Sequence, residues 1–310
     1  MRIVFFGTGK FALVSLKKLL KSDHEIVGVV TRPDSKKGRG WHTQPGLIKA
    51  LIENAAPGMD IFQPDKMSDD AFLEDLKKIN AEVFVVIDYG KYLPQKLLDI
   101  PAKYCINLHP SLLPEYRGAS PVNSVILNGE AKTGNTVFKL SESMDAGDVI
   151  VQEETEIRDS EDSVELLERL SQSGAGLLVE ALDLIKNGKE KLKPQDESKA
   201  VYSKKISKKD GLIDWTRSSQ EIDRKIRGMK PWPGAFTSLD GKNLKIIKAK
   251  IEDKEVSAVI AGTICDNKKF IIKTGDTGLE VLELQLEGKK AMTAKEFLKG
   301  YNLKKGMLLG

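Results

Sequence analysis

The stretch Arg2-Ile-Val-Phe-Phe-Gly7, continued by Thr8-Gly9-Lys10-Phe11-Ala12, decides the fold of this 310-residue chain. Its first six residues form a short run rich in β-forming side chains, and the glycines that follow predict a turn. Apolar side chains then recur at helical spacing, at Phe11, Leu13, Val14, Leu16, Leu19 and Leu20. A strand that passes through a glycine turn into a helix is the first half of a β-α-β unit.

The same alternation continues through the first half of the chain. Further strands are predicted at 25–30, 60–62, 82–87 and 104–108, and helices at 45–55, 69–79, 121–128 and 163–186. Residues 137–140 and 149–151 are predicted to be strands around a tight turn. Almost continuously apolar strands such as 82–87 are typical of a parallel sheet that helices cover on both faces. The sequence therefore predicts a doubly wound, mostly parallel, Rossmann-like α/β domain over residues 1–187.

The second half has a different pattern. Residues 188–211 are rich in Lys, Ser, Asp and Glu and lack sustained apolar periodicity, so we predict a basic linker there. Beyond a short helix at 219–227, β-type runs follow at regular spacing, at 235–239, 244–249, 262–264, 270–273 and 279–286. This spacing, with Asp240-Gly241 and Gly275-Asp276 as turns, predicts a small antiparallel, OB-like β-barrel domain over residues 212–310.

Composition excludes several classes of protein. With 40% hydrophobic and 30% charged residues the chain has the composition of a globular protein, and no apolar run approaches the ~18 residues that cross a bilayer. Cys105 and Cys265 lie far apart, so no disulfide framework is expected, and we predict a cytoplasmic protein without membrane association. The histidines at 24, 42 and 109 do not cluster with cysteines, so no metal site is expected.

Charge is unevenly distributed along the chain. Residues 188–310 contain 27 Lys and Arg against 17 Asp and Glu, whereas residues 1–187 are net acidic. A basic excess in one half indicates that this half meets a polyanion. A lysine-rich surface that only keeps the protein soluble would give the same count, so the sequence leaves both interpretations open.

Two motifs compete for the functional site, which in such sheets lies beyond the carboxyl ends of the strands. The first, Gly7-Thr8-Gly9-Lys10-Phe11-Ala12, matches the dinucleotide fingerprint G-x-G-x-x-A, with Arg32 placed to accept a 2′-phosphate. An NADP-dependent oxidoreductase is therefore one alternative. The pattern is short, however, and a glycine turn at this place also occurs for backbone reasons alone.

The second motif is Asn107-Leu108-His109, at the end of the strand that begins near residue 104. Asn107 and His109 are two residues apart and therefore point to the same face of a strand. An amide donor beside an imidazole suits acyl transfer, in which an oxyanion develops and a proton moves. Ser111 lacks a nucleophile elbow and Cys105 lies within a buried strand, so neither is a convincing nucleophile.

Residues 107–114, with 116–118 close behind, resemble the signature of the formyltetrahydrofolate-dependent formyltransferases, and 144–148 is similar to the second, acidic motif of that family. The first motif is shared by the members that act on sugar nucleotides and on glycinamide ribonucleotide. Four further motifs resemble the methionyl-tRNA formyltransferases, at 34–40 (with Gly38-Arg39-Gly40), 213–215, 231–235 and 288–292. The similarity covers essentially the whole chain and implies formylation of the methionine carried by initiator tRNA.

The resemblance also implies roles for individual residues and a co-substrate, 10-formyltetrahydrofolate, without a metal. Asn107 and His109 would hold the formyl carbonyl, and Asp145 would orient His109 and help to relay the proton of the attacking amine through water. Asp148 would be a turn or cap residue. The folate pocket would be lined by Ser111, Leu112, Leu113, Pro114, Asp88, Tyr89, Gly90 and Leu93.

The implied partner is methionyl initiator tRNA, bound by a monomer. Its contacts would come from Arg39, Trp41, Lys204, Lys205, Lys208 and Lys209. The loop 34–44 carries the first two of these residues and is expected to be mobile without tRNA. Trp41 would either stack on the acceptor end of the tRNA or pack back on the domain.

Three positions depart from the family pattern. Gly9-Lys10 stands where the family usually has Pro-Glu. Under the resemblance, the match to the dinucleotide fingerprint is therefore a coincidence that depends on one residue, Gly9. Asp88 replaces a small apolar residue and bears on the pterin contacts, and Trp41-His42 stands where the tRNA loop is usually basic. A sugar-nucleotide or glycinamide ribonucleotide formyltransferase stays an alternative that shares the chemistry but not a basic second domain.

Overall fold

The computed structural model of the chain describes residues 1–37, 42–252, 256 and 260–310. The chain divides into two compact units. Unit 1 comprises Met1–Gly118, Lys132–Glu156 and Leu167–Ser203, and unit 2 comprises Ala119–Ala131, Ile157–Leu166 and Lys204–Gly310. None of the helices formed by the described residues is both long enough and apolar enough to span a membrane.

Strands and helices alternate in the first half of the chain, and strands dominate the second half. The strands are β1 (Arg2–Gly7), β2 (Glu25–Val30), β3 (Ser35–Lys37), β4 (His42–Gln44), β5 (Ile61–Phe62), β6 (Val83–Ile87), β7 (Tyr104–His109), β8 (Arg117–Gly118), β9 (Lys132–Lys139), β10 (Val149–Glu156), β11 (Tyr202–Ser203), β12 (Ala235–Leu239), β13 (Lys242–Glu252), β14 (Ile264–Asp266), β15 (Ile271–Lys273), β16 (Gly278–Leu286) and β17 (Met292–Thr293). The α-helices are α1 (Lys10–Leu19), α2 (Leu47–Ala55), α3 (Asp70–Lys78), α4 (Gln95–Leu98), α5 (Pro121–Asn128), α6 (Ser163–Lys186), α7 (Ser219–Gly228) and α8 (Ala294–Gly300). Short 3₁₀ turns lie at Glu197–Lys199 and Lys208–Gly211.

Unit 1 is built around a seven-stranded sheet in the order β10-β9-β7-β6-β1-β2-β5. The five strands from β7 to β5 are parallel, and β9 and β10 extend one edge in the antiparallel sense. Every residue of β6 is buried, as a central strand requires when both faces of its sheet are covered. The predicted doubly wound, mostly parallel fold is confirmed.

The antiparallel edge differs from the sequence prediction. The sequence predicts short strands at 137–140 and 149–151 around a tight turn, whereas β9 and β10 have eight residues each. Residues 140–148 form a longer connection between them, and this connection carries Asp145. The second half of β10 reads Gln-Glu-Glu-Thr-Glu, a composition poor in β-forming side chains, which hides the true length of the strand.

Unit 2 contains an antiparallel sheet in the order β12-β13-β16-β15-β14, with β17 paired to β16. The last residues of the chain connect its two ends. The N–H of Leu309 donates to the carbonyl oxygen of Gly262, next to β14, at 3.0 Å, and the N–H of Gly310 donates to that of Ser238, in β12, at 3.1 Å. The sheet therefore curls into the expected barrel-like form around a core that includes Trp215.

Residues 188–203 pack within unit 1, although the sequence predicts a linker over 188–211. β11 pairs in parallel with β8, and Lys193 and Val149 exchange backbone hydrogen bonds of 2.8 and 2.9 Å. The segment lacks apolar periodicity because main-chain and polar hydrogen bonds, rather than an apolar face, hold it in place. A functional division of the chain at residues 187 and 212 stays a prediction.

Several short elements are absent from the sequence prediction. The predicted loop 34–44 contains the antiparallel strands β3 and β4, whose residues are too polar to show a strand pattern. The helices α4 and α8 are also missed. A signal for α8 was present, since Thr293 and Glu296 form a capping box at its start.

The first turn of α7 is tied to the turn between β15 and β16. One carboxylate oxygen of Asp276 accepts hydrogen bonds from the N–H of Ser219 at 2.8 Å, the N–H of Thr277 at 2.7 Å and the hydroxyl of Thr274 at 2.9 Å. Burial raises the pKa of the Asp276 carboxyl, but these hydrogen bonds outweigh that effect and lower the pKa to about 2.

We expect Asp276→Asn, which keeps an oxygen acceptor but removes the negative charge, to lower the free energy of unfolding by about 1 kcal/mol near pH 7, the scale for a charged group at a helix start in a solvent-screened position. Because folding lowers the pKa of Asp276, its stabilisation is present above the ordinary Asp pKa of about 4 and is lost as the pH falls toward about 2. Urea unfolding at several pH values measures this. Glu283→Gln, at an exposed position of β16, is the control, and an equal loss at all pH values would contradict the assignment.

Candidate active site

Asn107 and His109 lie at the carboxyl end of β7 and share one face of the sheet. β7 is paired on both sides, in parallel with β6 and antiparallel with β9, where His109 faces Thr136. Both side chains therefore project from a strand that is fixed along its two edges. Asn107 is partly exposed, and its side-chain amide makes no hydrogen bond with any described residue. This amide is available to a ligand.

The imidazole of His109 is buried and its orientation is fixed by a backbone carbonyl. Its Nε2 lies 3.0 Å from the carbonyl oxygen of Tyr116. Because a carbonyl oxygen can only accept, the neutral ring carries its proton on Nε2 and its lone pair on Nδ1. His109 can therefore gain a proton at Nδ1 while it keeps its hydrogen bond to Tyr116.

Asp145 faces that second ring nitrogen. Its Oδ2 lies 3.9 Å from Nδ1 of His109, which is too long for a direct hydrogen bond but close enough to stabilise a positive charge on the ring. The same carboxylate oxygen accepts the backbone N–H of Gly118 at 2.8 Å. The structure thus brings His109 and Asp145 together beside Asn107. The carbonyl oxygen of Asp148 accepts the N–H of Lys139 at 2.9 Å.

The loop 111–114, predicted to line a folate pocket, is held by β9. The hydroxyl of Thr136 donates to the carbonyl oxygen of Ser111 at 2.6 Å and accepts the N–H of Leu113 at 3.2 Å. Ser111 and Leu113 are buried, whereas Leu112 and Pro114 are partly exposed. The side chains of Leu112 and Pro114 are therefore open to a ligand, and Ser111 and Leu113 shape the loop from behind.

The second predicted folate loop follows β6. Tyr89 and Leu93 are buried, and Asp88 and Gly90 are exposed. Arg32 donates to the carbonyl oxygens of Tyr89 at 3.2 Å and Gly90 at 3.1 Å. The guanidinium therefore holds this loop, and it is not placed to receive a 2′-phosphate as the dinucleotide alternative requires.

Gly9 does not leave room for a phosphate group. A Cβ atom at this position would lie 1.8 Å from Oδ2 of Asp88, so the carboxylate packs directly against the backbone of Gly9. In a dinucleotide site the corresponding glycine lets the pyrophosphate approach the start of the helix. Here a negative charge of the chain itself occupies that approach. The two departures at Gly9 and Asp88 are therefore in direct contact, and the absence of a side chain at Gly9 makes room for the carboxylate.

Asp88 is an exposed residue whose carboxylate packs on one side against the backbone of Gly9, so part of the carboxyl group is buried. This burial raises the pKa of the Asp88 carboxyl, and the positive charge of Arg32 opposes the effect. The carboxylate makes no hydrogen bond with any described residue. It is a polar group at the edge of the sheet that a ligand can use.

The predicted tRNA contacts divide into two groups. Arg39 and Trp41 lie outside the described residues. The lysines of the second group are all exposed, and none forms an ion pair with a described residue: Lys204, Lys205, Lys208 and Lys209. Across 1–37, 42–252, 256 and 260–310, no three His, Cys, Asp or Glu side chains are grouped so that they could hold a metal ion.

Comparison with known proteins identifies the family. Residues 1–182 match the formyl transferase family, and residues 205–302 match the formyl transferase C-terminal domain. The chain belongs to the formyl transferase family. The methionyl-tRNA formyltransferase of Citrifermentans bemidjiense is 42% identical over 312 residues, which cover 100% of this chain and 96% of that protein. The methionyl-tRNA formyltransferase of Caldanaerobacter subterraneus is 39% identical over 310 residues and the whole of both chains.

Solved structures share the fold of this formyl transferase. The crystal structure of WlaRD, a sugar 3N-formyl transferase in the presence of dTDP and 5-N-formyl-THF, has a TM-score of 0.68 at 20% identity, over 94% of this chain and 99% of that one. HypX from Aquifex aeolicus, in complex with tetrahydrofolic acid, has a TM-score of 0.66 at 18% identity. The match covers 100% of this chain and 50% of HypX, so this chain spans half the length of that protein. At these identities the likeness concerns the fold alone.

The sequence analysis misses the residue that holds the backbone of Asp145. The side-chain amide of Gln195 donates to the carbonyl oxygens of Asp145 at 2.9 Å and Gly147 at 2.7 Å. Gln195 follows Asp145 by 50 residues and lies in the predicted linker. One polar side chain in a polar segment produces no periodic signal, so the sequence alone offers no means of finding it.

We expect Gly9→Ala to lower the free energy of unfolding modestly, because the new methyl group meets only the end of the Asp88 side chain, which must shift. In an Asp88→Ala background the same substitution should cost less, with a non-additivity of about 0.5–1 kcal/mol, the lower part of the range for residues in contact. Urea unfolding of the wild type, both single variants and the double variant measures this coupling.

Gly46→Ala is the matched control for this cycle. Gly46 also precedes a helix without a side-chain cap, and a Cβ there would meet no atom within 4 Å. Its substitution therefore reports the helix-start effect alone. Strictly additive effects of Gly9→Ala and Asp88→Ala would show that the two residues are not coupled.

Proposed function

We propose that the protein transfers the formyl group of 10-formyltetrahydrofolate to the amino group of methionyl initiator tRNA. Relatives that match over the full length of the chain are named methionyl-tRNA formyltransferases. The observation that carries the proposal is the arrangement of three groups: the amide of Asn107, which has no hydrogen bond to a described residue, the accepting Nδ1 of His109 and the carboxylate of Asp145 beside it. Acyl transfer to an amine needs an oxyanion donor and a proton acceptor, and these groups supply both.

Asn107 is the oxyanion donor in this mechanism. The co-substrate supplies the formyl group when it is bound. The side-chain N–H of Asn107 donates to the formyl oxygen, on which negative charge develops as the amine attacks. Because β7 is paired on both edges, the donor is already in place and little reorganisation is needed during the reaction.

His109 is the proton acceptor. The attacking amine loses a proton, which the lone pair on Nδ1 accepts directly or through water. The resulting imidazolium is stabilised by the Asp145 carboxylate 3.9 Å away and by the carbonyl oxygen of Tyr116. No enzyme nucleophile takes part: the amine attacks the formyl carbon directly, and the bond between that carbon and N10 of the folate breaks as N10 takes up the proton held by His109. Burial raises the pKa of the Cys105 thiol, which keeps it protonated and inert.

The residues of the two predicted folate loops fit a flat heterocyclic co-substrate. Leu112 and Pro114 offer partly exposed apolar surface, and Gly90 offers an exposed backbone. Asp88 offers a carboxylate without a hydrogen bond to a described residue, which suits the N–H donors of a pterin ring. We assign these residues to the binding of the folate, with Ser111, Leu113, Tyr89 and Leu93 supporting them from the buried side.

The basic second half is assigned to the tRNA. Lys204, Lys205, Lys208 and Lys209 are exposed and have no ion-pair partner among the described residues, so their charges are available to phosphates. Arg39 and Trp41 are proposed to approach the acceptor end, on the resemblance alone. We propose that the protein acts as a monomer, since all the proposed catalytic groups come from one chain, and that it acts in the cytoplasm, where its proposed tRNA substrate is used in translation.

We expect the wild-type protein to formylate methionyl initiator tRNA only when 10-formyltetrahydrofolate is present. His109→Ala and Asn107→Ala should each lower turnover by ~10²-fold or more, the scale for an acid–base group and an oxyanion donor. Acid gel electrophoresis, which separates formylated from unformylated methionyl-tRNA, measures the rates.

His24→Gln is the control for these variants, because His24 is also buried but precedes β2 at the opposite end of the sheet. It should keep near-normal turnover. Near-normal turnover in a folded His109→Ala protein would remove His109 from the mechanism. Formylation of an amino-sugar nucleotide in place of tRNA would instead support the sugar-nucleotide alternative.

We expect replacement of Lys204, Lys205, Lys208 and Lys209 by Ala to weaken tRNA binding and to reduce its salt dependence. For every lysine that binds a phosphate, its removal should lower the slope of log affinity against log salt by about 1. Filter binding at several salt concentrations measures this slope. A matched variant, with Lys17, Lys18, Lys77 and Lys78 of unit 1 replaced by Ala, should retain the wild-type slope, and equal slopes for all three proteins would exclude the four lysines from the tRNA interface.

A further inference from the structure

Arg117 is a charged residue with no exposed surface. Its guanidinium donates to both carboxylate oxygens of Glu197, at 2.9 and 2.7 Å, and to Oε1 of Gln195, at 3.1 and 2.8 Å. The hydroxyl of Tyr202 accepts a further hydrogen bond at 3.2 Å. A buried guanidinium without partners is strongly unfavourable, so these residues must stay against Arg117.

The partners of Arg117 all come from residues 193–203, which we call the strap. The strap is also bound through its backbone. The N–H of Arg117 donates to the carbonyl oxygen of Val201 at 2.8 Å, and the hydroxyl of Ser203 donates to the carbonyl oxygen of Arg117 at 3.0 Å. A Cβ atom on Gly118 would lie 2.7 Å from the carbonyl oxygen of Ser203. The strap is therefore packed closely against residues 117 and 118.

Gln195 connects Arg117 to the segment that carries Asp145. Its Oε1 accepts from the guanidinium, so its –NH₂ group must point away from Arg117. This group donates to the carbonyl oxygens of Asp145 at 2.9 Å and Gly147 at 2.7 Å. Because Arg117 can only donate and the two carbonyls can only accept, this orientation of the amide is the one that satisfies every partner.

Asp145 needs this support because its backbone is left-handed, with φ of 50°. A residue with a side chain adopts this conformation at a cost and keeps it where its surroundings hold it. Gln195 holds the carbonyl group of Asp145, and the N–H of Gly118 holds its carboxylate at 2.8 Å. Both hydrogen-bond donors are linked to Arg117: Gln195 accepts hydrogen bonds from its guanidinium, and Gly118 follows it directly in the chain.

We propose that Gln195, fixed by Arg117, is a positioning residue that sets where the Asp145 carboxylate lies relative to Nδ1 of His109. Gln195 contacts the backbone of Asp145 and acts through it. The strap is thus part of the active site, although its sequence predicts a linker. The inference rests on the proposed formyl transfer, because that reaction gives Asp145 its role.

Substitution of Gln195 tests the proposal in the full-length protein. Gln195→Ala should lower kcat for formylation of methionyl initiator tRNA by about 10- to 100-fold, the scale for a displaced catalytic group. The KM values for the tRNA and for 10-formyltetrahydrofolate should stay within about twofold of wild type, because Gln195 binds neither substrate. Gln195→Met keeps the side-chain volume without the hydrogen bonds and serves if the Ala variant does not fold.

Gln195→Glu separates the two functions of this side chain. A carboxylate still accepts from Arg117 but cannot donate to the carbonyl oxygens of Asp145 and Gly147, so its kcat should fall as far as that of Gln195→Ala. Lys199→Ala, at an exposed position of the strap whose ion pair with Asp196 lies outside this network, is the matched control and should keep the wild-type kcat.

A double variant distinguishes positioning from general loss of structure. In an Asp145→Ala background, single-turnover rates should fall by less than about twofold on adding Gln195→Ala, because the positioned group is already gone. Additive losses, full rescue by Gln195→Glu, or wild-type kcat in folded Gln195→Ala and Gln195→Met would each overturn the proposal. These outcomes presuppose an active wild type; a wild-type protein that does not formylate methionyl-tRNA would overturn the proposed function itself, and this inference with it.

Discussion

The register of β7 between β6 and β9 is the constraint on which the site depends. A slip of one residue would turn Asn107 and His109 to the other face of the sheet. The pairing of Val86 with Asn107 on one edge and of Thr136 with His109 on the other prevents such a slip. Thr136 also binds the backbone of the loop that follows His109. One strand pairing therefore sets the amide, the imidazole and the first loop of the pocket together.

The loops around this strand owe their shape to left-handed backbone at residues other than glycine. Asp88 has φ of 47°, Tyr116 has φ of 57° and Asp145 has φ of 50°. Such conformations cost roughly 1–3 kcal/mol each and are concentrated at functional sites. Each of them delivers one group: the carboxylate that packs on Gly9, the carbonyl that orients His109, and the carboxylate that faces Nδ1. The sheet holds residues such as His109 in fixed positions, and the left-handed residues of the loops direct their carboxylate or carbonyl groups toward them.

The parts of the structure that depend on local patterns could be predicted from the sequence. Apolar runs such as 82–87 indicated the parallel sheet, and the two-residue spacing placed Asn107 and His109 on one face. The contacts between distant segments could not be predicted. Nothing local shows that Arg32 holds the loop after β6, that Asp88 packs on Gly9, or that Gln195 reaches Asp145. These contacts depend on side chains that meet only after the sheet has formed, and each involves single polar residues without a periodic signature.

The segment 140–148 shows why a distant polar residue can control a site of this kind. Left-handed backbone at Asp145 costs roughly 1–3 kcal/mol. The three hydrogen bonds from Gln195 and Gly118 to this segment contribute about 1 kcal/mol each. The two sums nearly cancel only when the two hydrogen bonds from Gln195 are included, so without the strap the cost of the left-handed backbone is not compensated. The strap in turn stays in place because the guanidinium of Arg117 is fully buried and would be strongly unfavourable without its hydrogen-bond partners. The position of the Asp145 carboxylate thus depends on the burial of the Arg117 guanidinium, which lies on another segment of the chain.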